Sequence, residues 1–391
     1  VALSDSPTGI HEKAPVFVLV AGEASGDLLG ADLISALKRQ YPQAQFHGIG
    51  GEKMCAQGLQ TWFPMQKLSV MGFFEVIKHL PELLSIRRFC IKQTLQLKPQ
   101  AFIGIDAPDF NFKIEGAAKK AGIPAIHYVG PSVWAWREKR LLKIKQQVDG
   151  VLVLFPFELP YYQKYGIPAQ YVGHPLATQV LKAPNKQGAR QQLGLSSDAL
   201  VTGLLPGSRM SEIALMADVY IQVAVKIQTI HTAMVFVIPC VHEVAKSRIE
   251  KAVMDYGQGL KIILLDQQPQ LVMAAADQLL VTSGTATLEA ALMQRPMVLA
   301  MKVHPISYWI MKRLATTEWI GLPNILAKKL IVPELIQLEA TVENITLALG
   351  KLIQDQKQRD MQLSEFKKQA KQLHQNTSAL TVEAIKKWAH L

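Results

Sequence analysis

The feature that most constrains this chain is a rhythm. Short, almost wholly apolar runs recur along it, each closed by a turn of small or polar residues and followed by a helical pattern. In the first half such runs lie at 16–20, from 46, at 101–105, from 125, from 151 and from 171. In the second half they lie near 201–205, 234–238, 261–265, 278–282 and 297–301. Uniformly apolar strands of this length are buried on both faces, the mark of parallel sheets covered by helices. The 391 residues exceed what one core organises, and two such halves predict an α/β protein of two Rossmann-like domains facing a cleft. The expected plan is a polar segment at 1–14, a first domain at 15–180 and a second at 198–345. A polar linker at 182–197 places the boundary near 176–198, and the all-helical remainder, 346–391, closes the chain.

Composition narrows the partners. A net charge of +11 asks for an anionic one: nucleic acid, an acidic membrane face or a phosphorylated substrate. The basic residues are dispersed and match no nucleic-acid module, which sets the first aside. Cys55, Cys90 and Cys240 lie far apart without CxxC spacing, so they read as buried free thiols in a reducing compartment. Residues 1–14 lack the apolar core of a signal peptide, and no run of 18 or more apolar residues suggests a membrane span.

Four turns carry the polar groups that matter. After the first strand come Gly22, Glu23, Ser25 and Asp27, small enough to let a ligand approach the backbone, with Asp27 read as the cap of the helix that follows. After the strand at 101–105 comes Asp106, where parallel α/β sheets place catalytic groups; Asp109 reads as a helix cap, leaving Asp106 free to act as a base. In the second half, Pro206, Gly207, Ser208 and Arg209 end a strand and open a helix. That arrangement offers unpaired N–H groups, a favourable dipole and a forked cation to an anion. Ser283, Gly284, Thr285, Ala286 and Thr287 repeat it, with Glu289 one to two turns in, where a carboxylate can meet a ribose diol. Two such turns in one domain point to a nucleotide diphosphate.

Two further stretches stand out. Val70, Met71, Phe73, Phe74 and Ile77 are too crowded for one amphipathic stripe, and Lys67, Lys78, Arg87 and Arg88 flank them. They read as a core helix, or as an apolar patch with a cationic rim suited to anionic lipid or an acyl chain. The run 137–145 carries five cations against Glu138, beside Trp134 and Trp136. It reads as a solvated face, a phosphate site or a membrane edge.

These motifs together resemble one family, the lipid-A-disaccharide synthases. The resemblance runs nearly end to end through Gly22-Glu-Ala-Ser-Gly-Asp, Val70-Met-Gly-Phe-Phe-Glu-Val, Gly104-Ile-Asp-Ala-Pro-Asp-Phe-Asn, Pro131-Ser-Val-Trp-Ala-Trp-Arg, Leu205-Pro-Gly-Ser-Arg, Thr282-Ser-Gly-Thr-Ala-Thr-Leu-Glu and Leu322-Pro-Asn-Ile-Leu-Ala. It implies a GT-B glycosyltransferase whose C-terminal helix returns to the N-terminal domain. The implied reaction joins UDP-2,3-diacylglucosamine to 2,3-diacylglucosamine 1-phosphate (lipid X), inverting the donor carbon and releasing UDP.

On that resemblance Asp106 is the base for the acceptor 6-hydroxyl and Ser25 lines the cleft. Arg209 and the 283–287 turn hold the UDP phosphates, Glu289 the ribose, and Asn324 contacts the donor. It implies no metal and no cofactor, a peripheral place on the inner face of the cytoplasmic membrane, and leaves room for a homodimer. Residues 1–14 match none of the family's motifs, and Met210 stands where the family carries a smaller residue. A UDP-sugar 2-epimerase of the same fold is the nearest rival, and it would have no use for the apolar run at 70–77. A catalytically dead membrane scaffold fits poorly with the presence of Asp106, Arg209 and Glu289.

Overall fold

The computed structural model describes residues 14–68, 73–136, 138–282, 284–314 and 317–391. The chain divides into two compact units, one running to Gly173 and completed by Asn376–Leu391, the other His174–Gln375. Each is built on one parallel sheet.

In the first unit the strands are β1 (Val16–Ala21), β2 (Gln45–Ile49), β3 (Leu59–Thr61), β4 (Ala101–Ile105), β5 (Ala125–Tyr128), β6 (Gly150–Val153) and β7 (Ala169–Tyr171), ordered β3-β2-β1-β4-β5-β6-β7. In the second they are β8 (Val201–Leu205), β9 (Val235–Cys240), β10 (Ile262–Asp266), β11 (Gln278–Val281), β12 (Met297–Met301) and β13 (Glu334–Ile336), ordered β10-β9-β8-β11-β12-β13. Every residue of β4, β8 and β12 is buried, as their nearly continuous apolar sequences require. The two strands absent from the sequence reading, β3 and β13, are three-residue edge strands. They are too short for periodicity to betray them.

Strand order reverses in both sheets beside the first strand. β1 pairs with β2 on one side and β4 on the other, and β8 likewise with β9 and β11. Chain leaving β1 and β4, or β8 and β11, therefore diverges and opens a crevice at the carboxyl ends of those strands, where such sheets bind ligands.

Three sequence expectations change here. The polar stretch at 182–197 is no linker. Its helix Lys186–Gln192 is anchored by the buried Arg190, which donates to Ala275 O at 3.0 Å and pairs with Asp277 at 2.9 Å. A guanidinium buried this deeply holds only when its donors are met, so the segment folds as part of the second unit. Nor does all of 346–391 join the first unit. Helix Gln356–Leu373 stays with the second, where Gln362 accepts from Met297 N and donates back to Met297 O, and Phe366 is buried.

Only helix Thr377–Ala389 enters the first unit. Val382, Ala384 and Ile385 are buried there, and Trp388 lies over Gly150 so closely that a Cβ would meet it at 2.3 Å. Third, Cys55 is exposed; Cys90 and Cys240 are buried, and all three thiols are free. Among the described residues one helix, Met210–Ile230, is long and apolar enough to cross a membrane. Its residues Ile213, Met216, Ala217, Tyr220 and Ile221 are buried in the core of the second unit.

Candidate active-site groups at the two strand-order reversals

In the first unit, Asp106 follows β4 directly and Gly22–Ser25 follow β1, so both lie at the reversal. A Cβ on Gly22 would stand 3.0 Å from that of Ala107, which is how close the two turns come. Asp106 and Ala107 are both left-handed, with φ of 52° and 44°. Two successive non-glycine residues there cost energy and need outside support. Asn111 supplies it. Its amide donates to Asp106 O at 2.8 Å and to Val20 O at 3.2 Å, tying the turn to the end of β1, while Asp106 N donates to Tyr128 O at 2.8 Å. The Asp106 side chain is half-buried and its carboxylate has no hydrogen bond or ion pair among the described residues. The backbone is clamped and the side chain is left free.

Beneath the turn lies a group that sequence reasoning missed. Glu115, one helical turn beyond Asn111, meets His127 of β5 at 2.7 Å, both fully buried. Gly104 makes the room, since a Cβ there would fall 2.1 Å from Glu115 Oε1. Burial pushes the Glu115 carboxyl above its ordinary range, with His127 pulling the other way. A polar residue inside an apolar strand, as in Ala125-Ile-His-Tyr, was the available signal, because a buried histidine needs a partner.

The neighbouring carboxylates differ from expectation. Asp27 does not cap its own helix, Ala24–Gln40. It accepts from Gly51 N (2.8 Å), Lys53 N (3.1 Å) and Met54 N (3.0 Å), and so caps the next helix, Glu52–Ala56. Asp109 lies inside the first turn of helix Pro108–Lys120, makes no side-chain cap, and pairs with Arg140. Ser25 is exposed in the first turn of its helix.

In the second unit, Gly207, Ser208 and Arg209 follow β8. Gly207 has φ 126°, a conformation that needs glycine. The open cradle expected at this helix start is closed by the chain itself. Glu212 accepts from Ser208 N at 3.0 Å and Arg209 N at 3.2 Å. A carboxylate three residues into a helix reaches back to the cap N–H by ordinary capping-box geometry, so the spacing from Arg209 to Glu212 was the signal. Arg209 itself is 79% exposed and only leans on Glu212, at 3.3 Å. What this turn presents is a guanidinium rather than a nest of N–H groups.

The turn after β11 is the more open one. Ser283 lies outside the described residues. Gly284 (φ 133°) and Thr285 are exposed at the start of helix Thr285–Leu292, and Ala286 is half-buried. Thr287 is buried and its hydroxyl donates to Gly284 O at 2.9 Å, so it shapes the turn from inside. Glu289 accepts from Gln270 at 2.7 Å, a partner not foreseen, and burial raises its pKa.

Asn324, expected at the donor, is fully buried. Its Oδ1 accepts from Ile331 N and Val332 N, both at 2.9 Å, and its Nδ2 donates to Val332 O and Glu334 Oε1, both at 2.8 Å. An asparagine amide has two donors and two lone pairs, and all four are engaged. It braces the loop into β13 rather than reaching out.

Of the apolar run, Val70 and Met71 lie outside the described residues. Phe73, Phe74 and Ile77 fall in helix Phe73–Leu97, whose side chains are described only from Leu80 onward. Farther along that helix Leu80 and Phe89 are exposed, Arg88 is exposed and Arg87 half-buried.

Two Rossmann-ordered units in one chain are the fold of the GT-B type; the first places the Asp106 carboxylate at its strand-order reversal, and the second places a guanidinium and a small-residue helix start at its own. Residues 17–388 match the family described as lipid-A-disaccharide synthetase, and the chain belongs to that family. The lipid-A-disaccharide synthase of Hydrogenovibrio crunogenus is 66% identical over 373 residues, 95% of this chain and 99% of that protein. That of Dechloromonas aromatica is 46% identical over 369 residues, 94% and 97% of the two chains. Among solved structures, the UDP-GlcNAc 2-epimerase from Neisseria meningitidis bound to UDP-GlcNAc matches with TM-score 0.62 over 95% of this chain and 99% of that one. At 12% identity that likeness speaks for the fold alone.

Proposed function

We propose that this chain joins UDP-2,3-diacylglucosamine to 2,3-diacylglucosamine 1-phosphate, forming a β-1,6-linked disaccharide 1-phosphate and UDP in lipid A biosynthesis. Family membership supports the reaction, and one observation carries its chemistry: Asp106 is held by its backbone at the reversal of strand order with its carboxylate free. Asp106 takes the proton of the acceptor 6-hydroxyl as that oxygen attacks the donor anomeric carbon in line. The bond to UDP breaks on the opposite face, and configuration inverts.

Arg209 and the N–H groups at Gly284 to Ala286 receive the charge that develops on the leaving diphosphate. Glu289, steadied by Gln270, accepts from the ribose. Thr287 and Asn324 serve the donor side through the turns they brace. The apolar run at 70–77, with Arg87 and Arg88 nearby, rests the enzyme on the inner face of the cytoplasmic membrane, where both acylated substrates reside.

The test is a detergent-micelle assay following UDP and disaccharide together. Both should appear in step. UDP released without disaccharide would reduce the activity to donor hydrolysis, and no turnover with UDP still bound would reject the transfer reading. Charge reversal at Arg87 and Arg88 should weaken association with anionic vesicles; unchanged association would move the membrane face elsewhere.

A further inference from the structure

The basic run at 137–145 has no part in the chemistry above, yet the structure gives it a shape. Its residues from Glu138 onward, with Lys164 and Tyr165, wall a pocket of about 980 Å³ against the first two turns of helix Pro108–Lys120. Phe112 lies between them: Arg140 sits over its ring at 5.7 Å from the centroid, and His127 packs against it at 4.4 Å.

The charges in this pocket do not balance. Its two carboxylates are already committed, Asp109 to Arg140 and Glu138 to Lys164. That leaves Lys113, Lys139 and Lys143, all lining the pocket, all exposed, and without an ion pair among the described residues. Three like charges converging on one concavity repel one another until an anion joins them. Lysines are point charges with rotatable donors, suited to a compact, doubly charged phosphate more than to a planar carboxylate. The pocket's rim, Pro108, is two residues from Asp106, on the same turn.

We propose that this pocket binds a phosphomonoester and, in the reaction proposed above, seats the phosphate of the acceptor while the far side of the same sugar meets Asp106. The assignment rests on that acceptor. It makes the first unit the reader of the acceptor's charge. An anionic lipid headgroup offers similar chemistry from another source, and the experiment separates the two.

The variant is Lys113→Gln/Lys139→Gln/Lys143→Gln, three exposed positions whose loss leaves the core untouched. It is assayed in micelles with 2,3-diacylglucosamine 1-phosphate and with the same lipid lacking phosphate. Removing three exposed charge contacts should lower kcat/KM for the phosphorylated acceptor by about tenfold to hundredfold, through KM. The unphosphorylated acceptor should change less than about threefold and the donor KM less than about twofold, within the noise of independent sites. Equal losses with both acceptors, or no loss with either, would overturn the proposal. So would loss of binding to phosphatidylglycerol vesicles with acceptor discrimination intact, which would assign the lysines to headgroups.

A second readout stands apart from turnover: glucosamine 1-phosphate binding followed by ligand-observed NMR. Wild type should bind it competitively with inorganic phosphate and the variant should not; equal binding by the two overturns the pocket assignment. A wild type that binds glucosamine 1-phosphate but transfers nothing would strike the reaction instead, and leave the pocket standing.

Discussion

The two units use the same strand order and carry their candidate groups at the same point of it, yet they build those points in opposite ways. In the second unit the turns rely on Gly207 and Gly284, whose φ of 126° and 133° need no side chain and bring none. In the first, the turn after β4 forces Asp106 and Ala107 into left-handed conformations and then secures them with Asn111. The difference follows from what each turn must deliver. At Gly284 the turn leaves a helix start that an anion can approach, which suits glycine; at Gly207 Glu212 takes the N–H groups of Ser208 and Arg209 and leaves the guanidinium outward. A turn that must aim one carboxylate cannot use glycine at that position, and it accepts strain to hold the side chain. One unit presents a glycine-opened helix start and a cation; the other presents a carboxylate.

The largest expected effect tests that division directly. Asp106→Ala should lower kcat by about a hundredfold to ten-thousandfold, the range for removing a general base, while UDP affinity measured by calorimetry stays within about twofold. Turnover that survives would remove the base from the first unit. UDP affinity falling in parallel would mean that the two units do not divide the work as their turns suggest.

Next comes Asn324, whose place separates bracing from contact. Asn324→Leu should destabilise the protein by about 2–4 kcal/mol, because four partners, three of them in buried hydrogen bonds, lose them, read as a lower midpoint in urea. UDP affinity of the folded protein should hold. A tenfold loss of UDP affinity with an unchanged midpoint would return Asn324 to the donor site and make that turn a contact surface.

Arg209 sharpens the other half. Arg209→Ala should weaken UDP binding by about tenfold to hundredfold, the loss expected for a charge-assisted hydrogen-bond pair of about 1.5–3 kcal/mol. Glu212→Gln adds a refinement. It removes the carboxylate that leans on Arg209 and holds the N–H groups of Ser208 and Arg209, so UDP should bind more tightly. Weaker binding would show that Glu212 orients the guanidinium rather than competing for it.

Much of this was legible from the chain. Apolar runs announced parallel strands, and the carboxylate following one of them, Asp106, lies at a strand-order reversal, as its place after that run implies. What escaped was whatever depended on a partner distant in sequence. Asp27 reads locally as the cap of its own helix, but its acceptors face Gly51, Lys53 and Met54, some 24 to 27 positions on. Arg190 reads as solvated linker until Asp277, 87 positions away, is seen beside it. Gln362 is one polar residue of the all-helical remainder until it closes on the backbone of Met297, 65 positions back. Local pattern reports the element; only the fold reports what a polar side chain is for.

The smallest effect separates the units by pH. Burial raises Glu158, in the first unit, to about 8 and lowers His174, in the second, to about 4. Unfolded, they titrate at their ordinary values of 4.5 and 6.5. Between pH 4.5 and 8 the folded first unit keeps a proton that the unfolded chain has lost, so its stability falls as pH rises. Glu115, also raised by burial, acts with the same sign. Between pH 6.5 and 4 the unfolded second unit binds a proton that buried His174 refuses, so its stability falls as pH drops. Glu289, raised by burial, opposes it.

Each full proton is worth about 1.4 kcal/mol per pH unit inside its window. Hydrogen exchange resolved by peptide and corrected for intrinsic rate should show opening free energies of β5 and β6 declining from pH 5 to 8, and those of β8 and β11 declining from pH 6.5 to 4. Glu158→Gln should flatten the first slope and His174→Asn the second. Parallel slopes in both units would mean that they open as one cooperative body, and the contrast between their turns would then be chemical only, without a counterpart in stability.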